Sequence, residues 1–143
     1  MNVVVDTPVW SLALRRSRQH LSSEEAGFRR ALAELIRESR VLMIGPIRQE
    51  LLSGIREEAQ FVRLRDELRA FKDIEIQTPH YEFAAQMSNI CRSRGVATSP
   101  VDMLICAIAQ QLGAAIFTTD RDYEHYSKVL GVRLFTPDSG PRA

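Results

Sequence analysis

Short apolar runs rich in β-branched residues, separated by long stretches of helical period, leave this chain few folds to choose from. Val3-Val4-Val5 reads as a strand buried on both faces, the kind that suits a parallel sheet. Residues 41–44 and Ala115-Ile116-Phe117 read the same way. Residues 74–76 suggest an edge strand and residues 132–135 a last one. Between them, Thr7-Pro8 predicts a helix start, with Thr7 as cap and Pro8 in the first helical position. Phe28, Ala31, Leu32, Leu35 and Ile36 mark an amphipathic helix that starts near Ser22 or Ser23. A short helix is expected over residues 46–55, and a longer one carries Phe61, Leu64, Leu68 and Phe71. Pro79 opens a helix that Gly95 stops, and Ser99-Pro100 opens another, apolar on nearly every face to Leu112 and therefore central. A final helix covers residues 121–129. Strands alternating with helices imply a three-layer α/β/α sandwich with a central, mainly parallel sheet. Residues 1–136 are expected to form one domain and residues 137–143 a tail.

At 143 residues the chain is long enough for one core, and 45% hydrophobic with 26% charged residues is an ordinary globular balance. A formal net charge of +1 argues against a passive, strongly basic nucleic-acid module. It leaves room for an acidic site that reaches phosphates through metal ions. Cys91 and Cys106 lie in apolar helical stretches without CxxC spacing, so they read as small buried hydrophobes in a reducing cytosol. The start MNVVVD lacks a basic segment and an adequate apolar core, so no secretory signal is expected. The longest uncharged stretch, residues 103–119, is broken by Gln110, Gln111 and Gly113 and reads as a buried helix and strand, not a membrane span.

Of the 18 Asp and Glu residues, most fall on polar helical faces, and four do not. Asp6 follows the first strand directly, and Asp120 follows the Ala115-Ile116-Phe117 strand within three residues. In open parallel sheets ligands bind beyond the carboxyl ends of the strands, so both acids point at one rim. Asp102 is the only charged residue between Ser99 and Leu112, and a carboxylate entering a core helix needs a partner. Glu50 falls on the stripe of Ile47, Leu51, Gly54 and Ile55, where it interrupts an otherwise inward apolar face. Each acid also has a purely structural reading. Asp102 completes a capping box with Ser99, Asp6 and Asp120 are helix N-caps, and Glu50 pairs with a nearby arginine. Those readings do not require all four to converge.

Convergence would need a cation, because clustered carboxylates cannot all stay ionised alone. Oxygen-only ligands select Mg²⁺, with Mn²⁺ as a substitute, and His20, His80 and His125 sit at unpatterned positions expected on the surface. Mg²⁺ held by carboxylates completes its shell with water and phosphate oxygens, which points to phosphoryl chemistry. No Walker loop or GxGxxG is present.

Four segments, in order, carry a family resemblance: VVVDTPVW, PIRQELLSG, TSPVDMLICAIA and IFTTDRDY. Together they resemble PIN domains, and in length and spacing the VapC-type toxins of VapBC toxin–antitoxin pairs. The resemblance implies that Asp6, Glu50, Asp102 and Asp120 form the metal site. Asp6 and Asp102 would hold Mg²⁺ directly, and Glu50 and Asp120 directly or through water. It makes Asp122 an auxiliary acid and places the Thr7 and Thr118 hydroxyls near the site. It further implies an RNA substrate, a homodimer, a VapB-like antitoxin partner and a cytoplasmic, prokaryotic setting without membrane. Two positions depart from the pattern: Pro8 stands where Ser is frequent, and Thr119 where Arg is frequent. Arg15, Arg16 and Arg18 are candidates to guide an RNA backbone, or simply a solvated charge run.

Other classes compete. A structure-specific DNA nuclease of flap type shares the acidic constellation but needs extra elements for branched DNA. A receiver-type signalling module wants a Lys on a late strand, where residues 132–135 offer Arg133. A catalytically inactive PIN fold used for binding would be favoured if any of the four acids were missing, and none is.

Overall fold

A computed structural model describes residues 1–14 and 20–137. Its centre is β1 (Val3–Val5), flanked in parallel by β2 (Val41–Leu42) and β3 (Ala115–Phe117), in the order β2-β1-β3. Val3 pairs with Val41 on one side and Ala115 on the other, and Val5 pairs with Phe117. Successive strand residues face opposite sides of a sheet, and Val3, Val4 and Val5 are all 0% exposed, so both faces of β1 are covered. The three-layer expectation therefore holds.

Two expected strands shrink to single bridges. Asp73 bridges Met43, with the Ile74 amide donating to the Met43 carbonyl at 2.8 Å, and Leu134 bridges Ile116. Both segments lie on the outer edges with one neighbour each, and Glu75 and Arg133 face solvent, so local β-propensity has no second ladder to extend it. β2 likewise ends at Leu42, earlier than the expected 41–44.

Seven helices complete the described chain. α1 (Thr7–Leu14) begins at Thr7 itself, so Pro8 is the second helical residue and Thr7 is not the cap. The Val9 and Trp10 amides both donate to the Asp6 carbonyl, which makes Asp6 the residue at the boundary. Trp10 fixes α1 to the sheet by donating from its indole Nε1 to the Val5 carbonyl at 3.0 Å, and packs edge-on against Phe71. α2 (Ser23–Arg37) starts as expected, with a reciprocal capping box between Ser22 and Glu25. It reaches the sheet through Phe28, which stands edge-on to Phe117.

α3 (Gly45–Leu52) and α4 (Glu58–Leu68) are tied together by Arg48. Its guanidinium donates to the carbonyls of Leu68 (2.9 Å) and Phe71 and to the Asp73 carboxylate (2.9 Å). α5 (Thr78–Ser93) covers α6 (Pro100–Gln111), and α6 packs on β1 and β3. Every residue of α6 from Met103 to Ala109 is buried, as its all-round apolarity predicts, and Cys91 and Cys106 are buried free thiols. α7 (Asp122–Leu130) follows β3 and ends at Gly131, whose φ of 74° needs a residue without a Cβ. Among the described residues no helix is long and apolar enough to cross a membrane.

Candidate active site

The rim at the carboxyl ends of β1 and β3 carries the acids. Pairing between these strands runs one residue past Val5, because the Asp6 amide donates to the Phe117 carbonyl at 2.8 Å. The Asp6 side chain is thus held at the rim while the chain turns into α1. Its Oδ1 accepts from the Thr7 amide (2.9 Å) and its Oδ2 from the Thr118 hydroxyl (2.8 Å). At 6% exposure it is the one buried charged side chain among the described residues. Burial pushes its carboxyl up to about 6; the Thr118 and Thr7 bonds pull the other way, and the charges of Asp102 and Glu50 push it further up.

Thr118 joins the two strand ends, since its hydroxyl oxygen also accepts from the Asp120 amide at 3.0 Å. The Asp120 carboxylate in turn accepts from the Asp122 amide at 2.9 Å, so part of its cap-like reading is correct. Asp102 enters from the first turn of α6. The Ser99 hydroxyl accepts from the Asp102 amide at 3.1 Å, which is the serine half of the capping box. The carboxylate itself is engaged elsewhere: Tyr123 donates to Oδ1 at 3.1 Å and Tyr126 to Oδ2 at 3.0 Å. Burial pushes the Asp102 carboxyl upward, the Tyr126, Tyr123 and Ser99 bonds oppose that, and the Asp120 charge adds to the rise.

Glu50 departs from its expected place. It is exposed instead of inward-facing, and only Ile47 and Leu51 of its stripe are buried, because α3 meets the rim at an open end. Its Oε2 accepts from the Thr7 hydroxyl at 2.8 Å, so its partner is a threonine and not an arginine. Hydrogen bonds therefore run from Glu50 through Thr7 to Asp6, and through Thr118 to Asp120. Asp102 joins them through mutual charge repulsion with Asp6 and Asp120. Asp122 is exposed beside them.

No ion pair among the described residues involves these acids. His20 and His125 are exposed, and His80 caps α5 through the Gln77 amide. Cys106 is buried and close enough to feel the charges of Asp102 and Asp6, and burial pushes its thiol up. The donor set is thus oxygen only, which suits a hard cation. Among the described residues no three His, Cys, Asp or Glu side chains stand close enough together to hold a metal ion between them. Mg²⁺ commonly takes one or two carboxylates and fills the rest of its shell with water, and this open rim fits that habit.

A family model described as PIN domain matches residues 3–129. The chain belongs to the PIN domain family. Solved structures superpose over almost its whole length. FitAcB from Neisseria gonorrhoeae matches at a TM-score of 0.74 with 20% identity, covering 94% of this chain and 97% of that one. VapBC2 from Rickettsia felis, bound to a DNA fragment from its promoter, matches at 0.73 with 16% identity, covering 96% and 100%. FitAB bound to an IR36 DNA fragment matches at 0.71 with 20% identity, covering 93% of each chain.

In this PIN domain sequence reasoning missed Tyr123 and Tyr126. Their signal was a pair of aromatic residues three apart, one helical face, directly after the Asp120–Asp122 segment. Arg15, Arg16 and Arg18, the candidates for backbone guidance, lie outside the described residues, as do residues 138–143 of the expected tail.

Proposed function

We propose that this PIN domain is a Mg²⁺-dependent endoribonuclease that hydrolyses RNA phosphodiesters, and the toxin of a VapBC-like pair. The observation that carries the reading is the gathering of Asp6, Glu50, Asp102 and Asp120 at one strand-end rim, coupled by charge and hydrogen bonds and lacking any cationic partner among the described residues. Asp6 and Asp102 would hold the ion directly, and Glu50 and Asp120 directly or through water; Mn²⁺ is the natural substitute. A bound divalent ion there supplies a more acidic water and stabilises charge on the scissile phosphate. Thr118 and the Thr7 amide fix the Asp6 carboxylate, and the Thr7 hydroxyl fixes Glu50. Asp120, held against the α7 amide of Asp122, orients the attacking water. Asp122 is auxiliary.

The toxin role draws support from likeness to FitAcB and VapBC2. By the resemblance of its four segments to VapC-type toxins, the chain forms a homodimer in the cytoplasm and is neutralised by an antitoxin. That partner lays a helix or extended segment in an apolar groove and inserts a basic side chain at the acidic rim. A net charge of +1 favours RNA reached through the metal over passive duplex binding.

The test is cleavage of total cellular RNA by purified, antitoxin-free protein with Mg²⁺, with chelator, and with Asp102→Asn. Discrete cuts that require both Mg²⁺ and Asp102 are expected. A folded protein that cuts no RNA, or an Asp102→Asn variant that cuts normally, refutes the reading.

A further inference from the structure

α7 grips the acidic rim at two points. At its start, Asp120 accepts from the Asp122 amide. In the first turn and about one turn on, Tyr123 and Tyr126 each donate to a different oxygen of Asp102, at 3.1 and 3.0 Å. The tyrosines share one face of α7, are 0% and 1% exposed, and stand edge-to-face with ring centroids 5.1 Å apart. A ring packed in this way cannot swing, so each hydroxyl is fixed in space. Two fixed donors on opposite oxygens set the rotation of the Asp102 carboxylate and leave one lone pair on each oxygen unused. The rings would pack equally well as phenylalanines, so core packing alone does not account for the hydroxyls.

We propose that Tyr123 and Tyr126 are positioning residues that aim the free lone pairs of Asp102 at a divalent cation, with α7 fixing the spacing of Asp102 and Asp120. This rests on the metal-site reading above and adds to it the residues that set its geometry. Groups that orient a metal ligand from behind typically contribute roughly 10- to 100-fold in affinity.

The test measures binding of Mn²⁺ alone, by the loss of its free-ion paramagnetic resonance signal. The proteins are the parent, Tyr123→Phe, Tyr126→Phe, the double variant and Asp102→Asn, each also melted in chelator. The expected result is a dissociation constant raised about tenfold in each single variant and further in the double one, with folded circular dichroism spectra throughout. Affinity within twofold of the parent in the Phe variants, while Asp102→Asn binds poorly, overturns the positioning role even if melting temperatures fall. The tyrosines would then serve stability only. Should the double variant not fold, the single variants decide by the same criterion. Equal binding by parent and Asp102→Asn, or none by the parent, removes the metal-site reading and this inference with it.

Discussion

Replacing Asp6 by Asn should stabilise the metal-free protein at neutral pH. The Asp6 carboxyl rises from its ordinary 3.8 to about 6, chiefly through burial, with Asp102 and Glu50 adding repulsion. A folded-state pKa above the unfolded one means that the fold binds the proton more tightly. The stability contributed by the protonated acid is therefore fully present below 3.8 and is lost as pH rises through about 6. A rise of this size corresponds to about 3 kcal/mol above pH 6, about half of that near pH 5, and well under 1 kcal/mol near pH 4. Asparagine keeps an oxygen for the Thr7 amide and offers an N–H to the Thr118 oxygen, so it preserves the contacts while removing the charge. For a domain of this length, Asp6→Asn should melt on the order of 5–10 °C higher at pH 7.5 in chelator. The assay is thermal unfolding of both proteins from pH 4.5 to 8. The gap should close as pH falls, and saturating Mg²⁺ should narrow it at pH 7.5 by stabilising only the parent. A variant that melts lower than the parent at pH 7.5, or a gap independent of pH, would refute the account of Asp6 as a charge held at a cost.

Arg48→Ala should lower stability by about 2–3 kcal/mol in urea unfolding, because one charged group closes the carbonyls of Leu68 and Phe71 and the Asp73 carboxylate. A loss below about 0.5 kcal/mol would mean that water replaces it freely. Glu50→Gln should leave the melting temperature in chelator almost unchanged, since Glu50 is exposed and keeps an oxygen for Thr7, while Mg²⁺-dependent RNA cleavage falls at least about tenfold. Full activity in that variant would exclude Glu50 from the site.

The acids that follow strands were legible because parallel pairing and strand ends are local signals. Asp6 and the Asp120 segment share a rim as soon as Val3–Val5 and Ala115–Phe117 are adjacent. The partners of Asp102 were not legible. They come from 21 and 24 residues further on, and their contact exists only because α7, packed on α5, points both tyrosine hydroxyls at the first turn of α6. Glu50 was found for an imperfect reason. A helical stripe treats all its positions as equally inward, whereas Glu50 is exposed between the buried Ile47 and Leu51, so residue type was informative and depth was not. The edge segments 74–76 and 132–135 show the same limit of local pattern, for propensity marks an extended chain but not whether a neighbour is there to pair with it.

The bond from Thr118 to Asp6 spans 112 residues, which has a consequence for the chain as it is made. Asp6 leaves the ribosome 112 residues ahead of Thr118. The hydroxyl that holds it, the acid beside it and both tyrosines behind Asp102 are encoded after residue 117. A nascent chain shorter than that carries Asp6, Glu50 and Asp102 without the elements that gather them. The rim is therefore completed only once α7 has been made and has left the ribosome, and any activity that depends on it stays off until then.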